Sequence, residues 1–148
     1  RERIKFWSVL CETLPTLENW CVMGDFNMIE SLNDRRGGGN TTISGQELAC
    51  WERLICFKLG IMDVWHSQSF MKMALSLAFS HSDRRNEGVN VSRLDRIYLS
   101  NYFHEKGGLI GIMPGTTFSD HAPVCINILE ERSVSSLHIR ISDTVVSD

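Results

Sequence analysis

Three short segments group carboxylate, amide and imidazole side chains. They are Gly24-Asp25-Phe26-Asn27, Ser92-Arg93-Leu94-Asp95-Arg96 and Ser119-Asp120-His121-Ala122-Pro123. On an extended backbone Asp25 and Asn27 point to one face while Phe26 turns into the core, so a carboxylate and an amide are presented together. Asp120 beside His121 couples a hard oxygen ligand for Mg²⁺ with an imidazole that can exchange a proton. These residue types together could hold a metal ion beside a group that exchanges a proton.

Each segment also has an ordinary structural interpretation. Residues 24–27 could be a turn in which the polar side chains satisfy backbone groups, and residues 119–123 could be a polar turn. Asp95 could form a surface ion pair with its two flanking arginines. The three segments together, in this order and each beside an apolar run, favour a functional site.

The elements that position these segments follow from apolar spacing. Helices are predicted from Ile4 to Leu14, ahead of Pro15, and after Ser44, where a capping-box spacing precedes an apolar stripe that ends at Gly60. Strands are predicted over 20–24, 91–99, 109–113 and 122–129, with a short extended piece over 61–65. Residues 31–42 and 81–90 are predicted polar loops. The Met and Leu content of residues 71–79 favours a helix, although a strand is also allowed.

Composition limits the class of protein. The 148 residues suffice for one domain with a sizeable core, and 43% are hydrophobic and 22% charged, which excludes a disordered chain. No apolar run is long enough for a membrane helix. The net charge of −3 argues against a basic nucleic-acid coat, but allows an enzyme that holds phosphates through metal ions. The five cysteines, with no Cys-x-x-Cys pair, are predicted to be reduced core thiols.

Taken together, the three segments resemble the endonuclease/exonuclease/phosphatase superfamily, whose members cleave phosphoesters with Mg²⁺. Trp20-Cys21-Val22-Met23, Arg93-Leu94-Asp95-Arg96 and the tail after Leu129 are more closely similar to the apurinic-like endonuclease domain of plant-type non-LTR (LINE-type) retrotransposons. The resemblance covers residues 3–129. It implies an α/β fold of the α+β type, the C-terminal part of a four-layer sandwich in which two packed sheets are flanked by helices. Residues 1–130 would be a partial domain, and 131–148 a linker toward a reverse transcriptase.

The resemblance also implies a role for each site residue. Asp25 would activate the attacking water or assist the leaving group, and Asn27 would hold the phosphate or the nucleophile. Asp120 would ligate the metal ion, directly or through water. His121 would contact the scissile phosphate as acid, base or electrostatic stabiliser, and Asp95 would orient His121 through the other ring nitrogen.

The expected activity is target-site nicking of DNA with Mg²⁺, or Mn²⁺ in its place. The expected partners are DNA and a reverse transcriptase domain in cis, without a membrane; the location would be intracellular, and nuclear if the parent element is active. Two alternatives stay open: a non-catalytic remnant that binds nucleic acid or protein, and a phosphatase or deadenylase of the same superfamily. Inositol-phosphatase relatives tend to carry Trp-Cys-Asp-Arg where this chain has residues 93–96, which favours the endonuclease.

The sequence departs from the family pattern in one respect. The first half of the family domain supplies an Asn, the chief metal-binding Glu and a Tyr or His near the phosphate, and no residue here matches them. With one metal carboxylate where two are wanted, we expect weak Mg²⁺ binding and weak or absent activity. We also expect an apolar sheet face without its covering layer.

Other candidate features are assigned ordinary roles. The remaining histidines have no mutual spacing typical of a metal site, and surface or hydrogen-bonded roles are predicted for them: His66, His81, His104 and His138. The arginine pairs at 35–36 and 84–85 are predicted to lie in solvated loops. The glycine run at 37–39 lacks the Gly-Lys-Ser/Thr ending of a nucleotide-binding loop.

Overall fold

The structure, a computed structural model, describes residues 2–37, 43–83, 90–115 and 118–129. Helix α1 spans Glu2–Thr13, and α2 (Gly45–Cys50) continues through a π-helical stretch, Trp51–Phe57. A short third helix, α3, spans Asn101–Lys106. The strands are β1 (Cys21–Asp25), β2 (Arg35–Arg36), β3 (Ile61–Asp63), β4 (Phe70–Lys72), β5 (His81–Asp83), β6 (Asn90–Ser92), β7 (Asp95–Ser100), β8 (Gly108–Ile112) and β9 (Val124–Ile128).

The described strands form three sheets of three strands each. The first has the order β1-β7-β3 and is antiparallel throughout. The second has the order β4-β8-β9, in which β4 is parallel to β8, and the third has the order β2-β6-β5. The described part of the chain is therefore a mixed α+β fold, as predicted at this coarse level.

Strand β7 lies between two apolar clusters because its side chains alternate between the two faces of the sheet. Tyr98 faces the helices, where it packs with Trp51, whose ring centroid lies 5.2 Å away. Ile97 and Leu99 face the other way and pack with Ile110 of β8. Burial on both faces fixes the register of β7, and with it the position of the residue that begins the strand, Asp95.

The two predicted helices are confirmed. The predicted capping box is formed by reciprocal bonds: the Glu47 amide donates to Ser44 Oγ (3.2 Å), and the Ser44 amide donates to the Glu47 carboxylate (3.2 Å). Gly60, at φ 61°, follows the helical segment at the position predicted for its end. Strands β1, β8 and β9 lie within one or two residues of their predicted limits.

Two predicted elements are wrong in part. The helix favoured for residues 71–79 is absent; β4 occupies 70–72, and turns follow. Phe70 is buried against β8, whereas Leu75 is 81% exposed, so this stretch has no continuous apolar helical face. The single strand predicted over 91–99 is divided into β6 and β7, which belong to different sheets, and Arg93 between them turns into the interior.

Smaller differences concern loops and cysteines. Helix α3 has no counterpart in the prediction, and the loops at 31–42 and 81–90 contain β2, β5 and the start of β6. Cys21 and Cys125 are exposed, so the prediction of core thiols is wrong for these two, and no disulfide occurs among the described residues. The linker predicted over 131–148 and the arginine pair at 84–85 lie outside the described residues. Among the described helices, none combines the length and the hydropathy that crossing a membrane requires.

Candidate active site

Strand pairing brings the three polar segments together. Asp25 is the last residue of β1, and its pairing partner across the sheet is Asp95, the first residue of β7. The third segment joins them through an isolated bridge between His81 and His121 and through a hydrogen bond from the Ala122 amide to the Ser80 carbonyl (2.6 Å). Segments separated by up to about a hundred residues thus supply one cluster.

His121 lies between two carboxylates. Its Nδ1 is 2.7 Å from Asp95 Oδ2, and its Nε2 is 3.9 Å from Asp25 Oδ2. A carboxylate bound to Nδ1 keeps the proton on that nitrogen and fixes the orientation of the ring. Nε2 is therefore the ring nitrogen available to a ligand, and it faces the side of the cluster where Asp25 lies.

The electrostatic surroundings favour the charged form of His121. Partial burial works to lower the pKa of the imidazole, but the hydrogen bond to Asp95 and the negative charges of Asp95, Asp25 and Asp120 outweigh it, so the pKa is raised above its ordinary value. An imidazolium at this position can donate a proton or a hydrogen bond from Nε2 to an anionic oxygen.

Asp25 and Asn27 lie together, but not for the predicted reason. The extended backbone ends at Asp25, and Asn27 has φ 48°, which is the left-handed region, so strand alternation does not place its side chain. Instead the Asn27 amide donates to Asp25 Oδ1 (2.8 Å) and its side-chain nitrogen donates to Asp25 Oδ2 (3.2 Å). The turn orients the carboxylate. Phe26 is partly buried, with its ring centroid 5.3 Å from that of Trp51.

Asp120 is the most open member of the cluster, with 61% of its side chain exposed, and its Oδ2 lies 3.5 Å from Nε2 of His81. His81, Asp120 and His121 each offer a ligand atom, and these atoms lie within 4.8 Å of one another. From the sequence alone, His81 is predicted to have a surface or hydrogen-bonded role, and its place beside Asp120 and His121 is not predicted. The strand bridge that brings it to His121 spans 40 residues of sequence, so no local spacing reveals it.

The two arginines that flank Asp95 are buried and pair elsewhere, so the surface ion pair suggested for Asp95 is wrong. Arg93 and Arg96 are 2% and 1% exposed. Both bind the buried carboxylate of Asp34, at 2.8 and 2.9 Å, and both bind Asp63, at 2.7 and 3.1 Å. These buried ion pairs hold the segment in place, and the Asp95 carboxylate interacts with His121 instead of with the arginines.

Ser80 links the second and third segments. It is buried, and its Oγ accepts hydrogen bonds from the amides of Leu94 (3.1 Å) and Asp95 (3.0 Å). Its own amide donates to the Ser92 carbonyl (3.1 Å). Neither Ser80 nor the Asp34 carboxylate was expected from the sequence, because each acts through partners more than ten residues away.

The other two described histidines have the polar roles predicted for them. His104 is buried and bonds to Ser67 Oγ (2.9 Å) and to the Met62 carbonyl (3.3 Å). His66 Nε2 lies 3.0 Å from a guanidinium nitrogen of Arg93. His138 lies outside the described residues.

A groove leads away from Asp25 along β1 and α1. Apolar side chains line most of it, including Trp7, Leu10, Trp20 and Val22. Arg3 also lies in the lining and donates a hydrogen bond to the Asn27 carbonyl (3.3 Å). The groove therefore runs from an apolar surface to the end of β1 at which the Asp25 side chain lies.

Comparison with known proteins adds no family assignment. A scan against protein-family models gives no match, and a search of the curated proteins gives none.

Proposed function

We propose that this chain is part of a Mg²⁺-dependent DNA endonuclease of the endonuclease/exonuclease/phosphatase superfamily, similar to the target-nicking domain of LINE-type retrotransposons. The observation that carries the proposal is the contact of His121 with Asp95 at Nδ1, with Nε2 turned toward Asp25 and Asp120 adjacent in the chain. Hydrolysis of a phosphodiester needs a group that stabilises the phosphate oxygens beside one that aligns water, and this cluster supplies both.

Each residue of the cluster has its own proposed role in phosphodiester hydrolysis. His121, charged and held by Asp95, donates a hydrogen bond from Nε2 to a non-bridging phosphate oxygen. Asp25, oriented by the two bonds from Asn27, accepts a hydrogen bond from the attacking water and aligns it. As the water attacks phosphorus, one of its protons passes to Asp25 and the bond between phosphorus and the leaving oxygen breaks. The leaving oxygen takes up a proton from solvent, while His121 offsets the negative charge on the non-bridging oxygens.

Asp120 suits the role of the metal ligand. Mg²⁺ binds through one or two carboxylates, keeps several waters and takes further oxygens from substrate phosphates. Asp120 offers a carboxylate that is largely open to solvent, which leaves room for those waters and for a DNA phosphate. When bound, Mg²⁺, or Mn²⁺ in its place, would supply a positive charge for the phosphate oxygens.

The proposal extends to the architecture and the partners. The proposed architecture is the C-terminal part of a four-layer sandwich of two packed sheets flanked by helices. It is supported by the apolar side chains on both faces of sheet β1-β7-β3, with helices against one face and β8 against the other. DNA is the proposed substrate, and a reverse transcriptase domain in cis is the proposed neighbour of residues 131–148. In that setting the protein acts in the nucleus.

The test is nicking of a supercoiled plasmid with Mg²⁺ and with EDTA. Of the weak or absent activity expected from the sequence, the proposal commits to weak activity. We expect Mg²⁺-dependent nicking that falls by about 100-fold or more in Asp25→Asn and in His121→Ala, the range typical of a lost acid-base group. Glu18→Gln, an exposed carboxylate away from the cluster, is the matched control and keeps wild-type nicking. Nicking that persists in EDTA, or that is equal in all four proteins, contradicts the proposal.

Two other functions are distinguished by further assays on the same protein. A non-catalytic module binds DNA, measured by fluorescence anisotropy, without nicking it, although circular dichroism shows that the chain is folded. A phosphatase of the same superfamily releases phosphate from an inositol polyphosphate and leaves the plasmid intact. Either result replaces the endonuclease proposal.

A further inference from the structure

Two of the residues in the proposed active site, Asp120 and His121, also lie beside the imidazole of His81. His81 and His121 each contribute an imidazole, their ring centroids are 4.9 Å apart, and Asp120 lies beside them with one carboxylate oxygen 3.5 Å from His81 Nε2. Mg²⁺ is bound by oxygen ligands, and imidazole nitrogens add little to its affinity. Two imidazoles and one carboxylate are instead a donor set that suits Zn²⁺ and similar ions.

The distances are close to those that such an ion needs. Ligand bonds of about 2.0 to 2.1 Å in a tetrahedral site separate neighbouring donor atoms by roughly 3.3 Å. The His81–Asp120 pair, at 3.5 Å, already has this separation, and all three donor atoms lie within 4.8 Å.

One of the imidazoles already has the partner that metal-binding histidines require. Nδ1 of His121 donates a hydrogen bond to Asp95 Oδ2, at 2.7 Å between the two atoms. Nε2 is therefore the ring nitrogen that can bind the ion. A carboxylate behind a histidine in this way fixes the tautomer and increases the basicity of the ligating nitrogen. The strand bridge between residues 81 and 121 holds the two imidazoles beside each other through the backbone.

We propose that His81, Asp120 and His121 form a binding site for one divalent cation of the Zn²⁺ class. Three protein ligands leave a fourth position for water. Occupation of this site takes the Asp120 oxygen from Mg²⁺ and the Nε2 of His121 from a DNA phosphate. Zn²⁺ therefore inhibits the Mg²⁺-dependent cleavage; this consequence, unlike the binding itself, rests on the proposed function.

Binding is measured without any enzymatic assay, by titration of Zn²⁺ against a chromophoric chelator and by the visible absorption of the Co²⁺ form. We expect one ion per wild-type chain. His81→Asn and Asp120→Ala each lower the affinity by about 100-fold or more, because each removes the imidazole or the carboxylate that binds the ion. His66→Asn, a histidine outside the cluster, is the matched control and keeps the wild-type affinity. Circular dichroism in EDTA verifies that each variant is folded.

Ring-nitrogen NMR spectra of the wild-type protein give a second readout that needs no substitution. On addition of Zn²⁺ the ring signals of residues 81 and 121 shift and those of residue 66 do not. Wild-type affinity in folded His81→Asn, or ring signals that do not move, overturns the proposed site and shows that any bound Zn²⁺ is held elsewhere, for example by cysteine thiolates. Absence of plasmid nicking contradicts the endonuclease proposal and leaves the result on Zn²⁺ binding intact.

Discussion

Replacement of Asp34 by asparagine tests the buried charge network that holds the second polar segment. The Asp34 carboxylate accepts hydrogen bonds from Arg93 Nε (2.9 Å), from Arg96 (2.9 Å) and from the Ser31 amide (3.0 Å). The side chains of Asp34, Arg93 and Arg96 are all buried. Asparagine keeps the shape of the side chain but removes the negative charge and replaces one acceptor oxygen with a donor, so the variant removes the charge together with part of the hydrogen bonding.

The expected loss in the free energy of unfolding depends on which carboxylates still contact Arg93 and Arg96 in the variant. Removal of one partner from a buried ion pair costs roughly 3 to 5 kcal/mol, because the remaining charge is left uncompensated. Here Asp63 still contacts both arginines, at 2.7 and 3.1 Å, and Glu30 contacts Arg96 at 3.1 Å. We therefore expect a loss of about 3 kcal/mol in the free energy of unfolding, at the lower end of that range.

The same network predicts how stability depends on pH. Burial works to raise the pKa of Asp34, but the charges of Arg93 and Arg96 and their hydrogen bonds outweigh it and hold the pKa below its ordinary value of 3.8. A carboxylate with a lowered folded pKa contributes stability above its unfolded pKa and loses it as the pH falls through the folded value. The wild-type advantage over Asp34→Asn is therefore complete at neutral pH, declines as the pH falls below 3.8 and disappears only below the lowered pKa of the folded state.

Urea denaturation followed by tryptophan fluorescence, at neutral pH and in acid, measures both effects. Glu18→Gln is the control, since it makes the same chemical change on an exposed side chain and is expected to change stability by less than about 0.5 kcal/mol. A neutral-pH loss below about 1 kcal/mol for Asp34→Asn, or a difference that persists unchanged in acid, refutes the reasoning on the network.

Three further changes test local features. Ser80→Ala removes the hydroxyl that accepts two backbone amides and should lower the free energy of unfolding by about 2 kcal/mol in urea titrations; an unchanged midpoint contradicts this. Gly108→Ala places a Cβ 2.0 Å from the Asn127 carbonyl oxygen, so the β8–β9 pairing must shift, and thermal melting should show a loss of at least about 2 kcal/mol; equal melting of the two proteins argues against this packing. Burial raises the pKa of Cys56 to about 12, so alkylation mapped by mass spectrometry should modify the exposed Cys125 first and Cys56 much later; equal rates disprove the burial of that thiol.

The parts of the fold that the sequence predicts are those set by local signals. The capping box at Ser44 and Glu47 and the apolar run before Gly24 depend on residues a few positions apart, and the helix and strand they predict are present. The sequence leaves residues 71–79 open between a helix, which the composition favours, and a strand; the pairing of Met71 and Lys72 with β8 decides for a short strand at the start of the interval.

The candidate site shows the same difference between local signals, which the sequence reveals, and long-range contacts, which it does not. The residue types and their order were enough to select Asp25, Asn27, Asp95, Asp120 and His121, which the structure brings into one cluster, although their chemical roles are still predictions. The partners that hold them could not be found in this way. Asp34 and Ser80 reach the second segment through contacts 59 and 14 residues apart in sequence, which no local pattern encodes.

The most direct test of the account is whether Asp95 and His121 act as one unit in phosphodiester cleavage. Mg²⁺-dependent plasmid nicking is measured for the wild type, Asp95→Asn, His121→Ala and the double variant. Residues that act as a unit are not additive, so we expect the double variant to lose no more activity than His121→Ala alone. Losses that multiply, or a folded wild-type chain that does not nick, contradict the central claim.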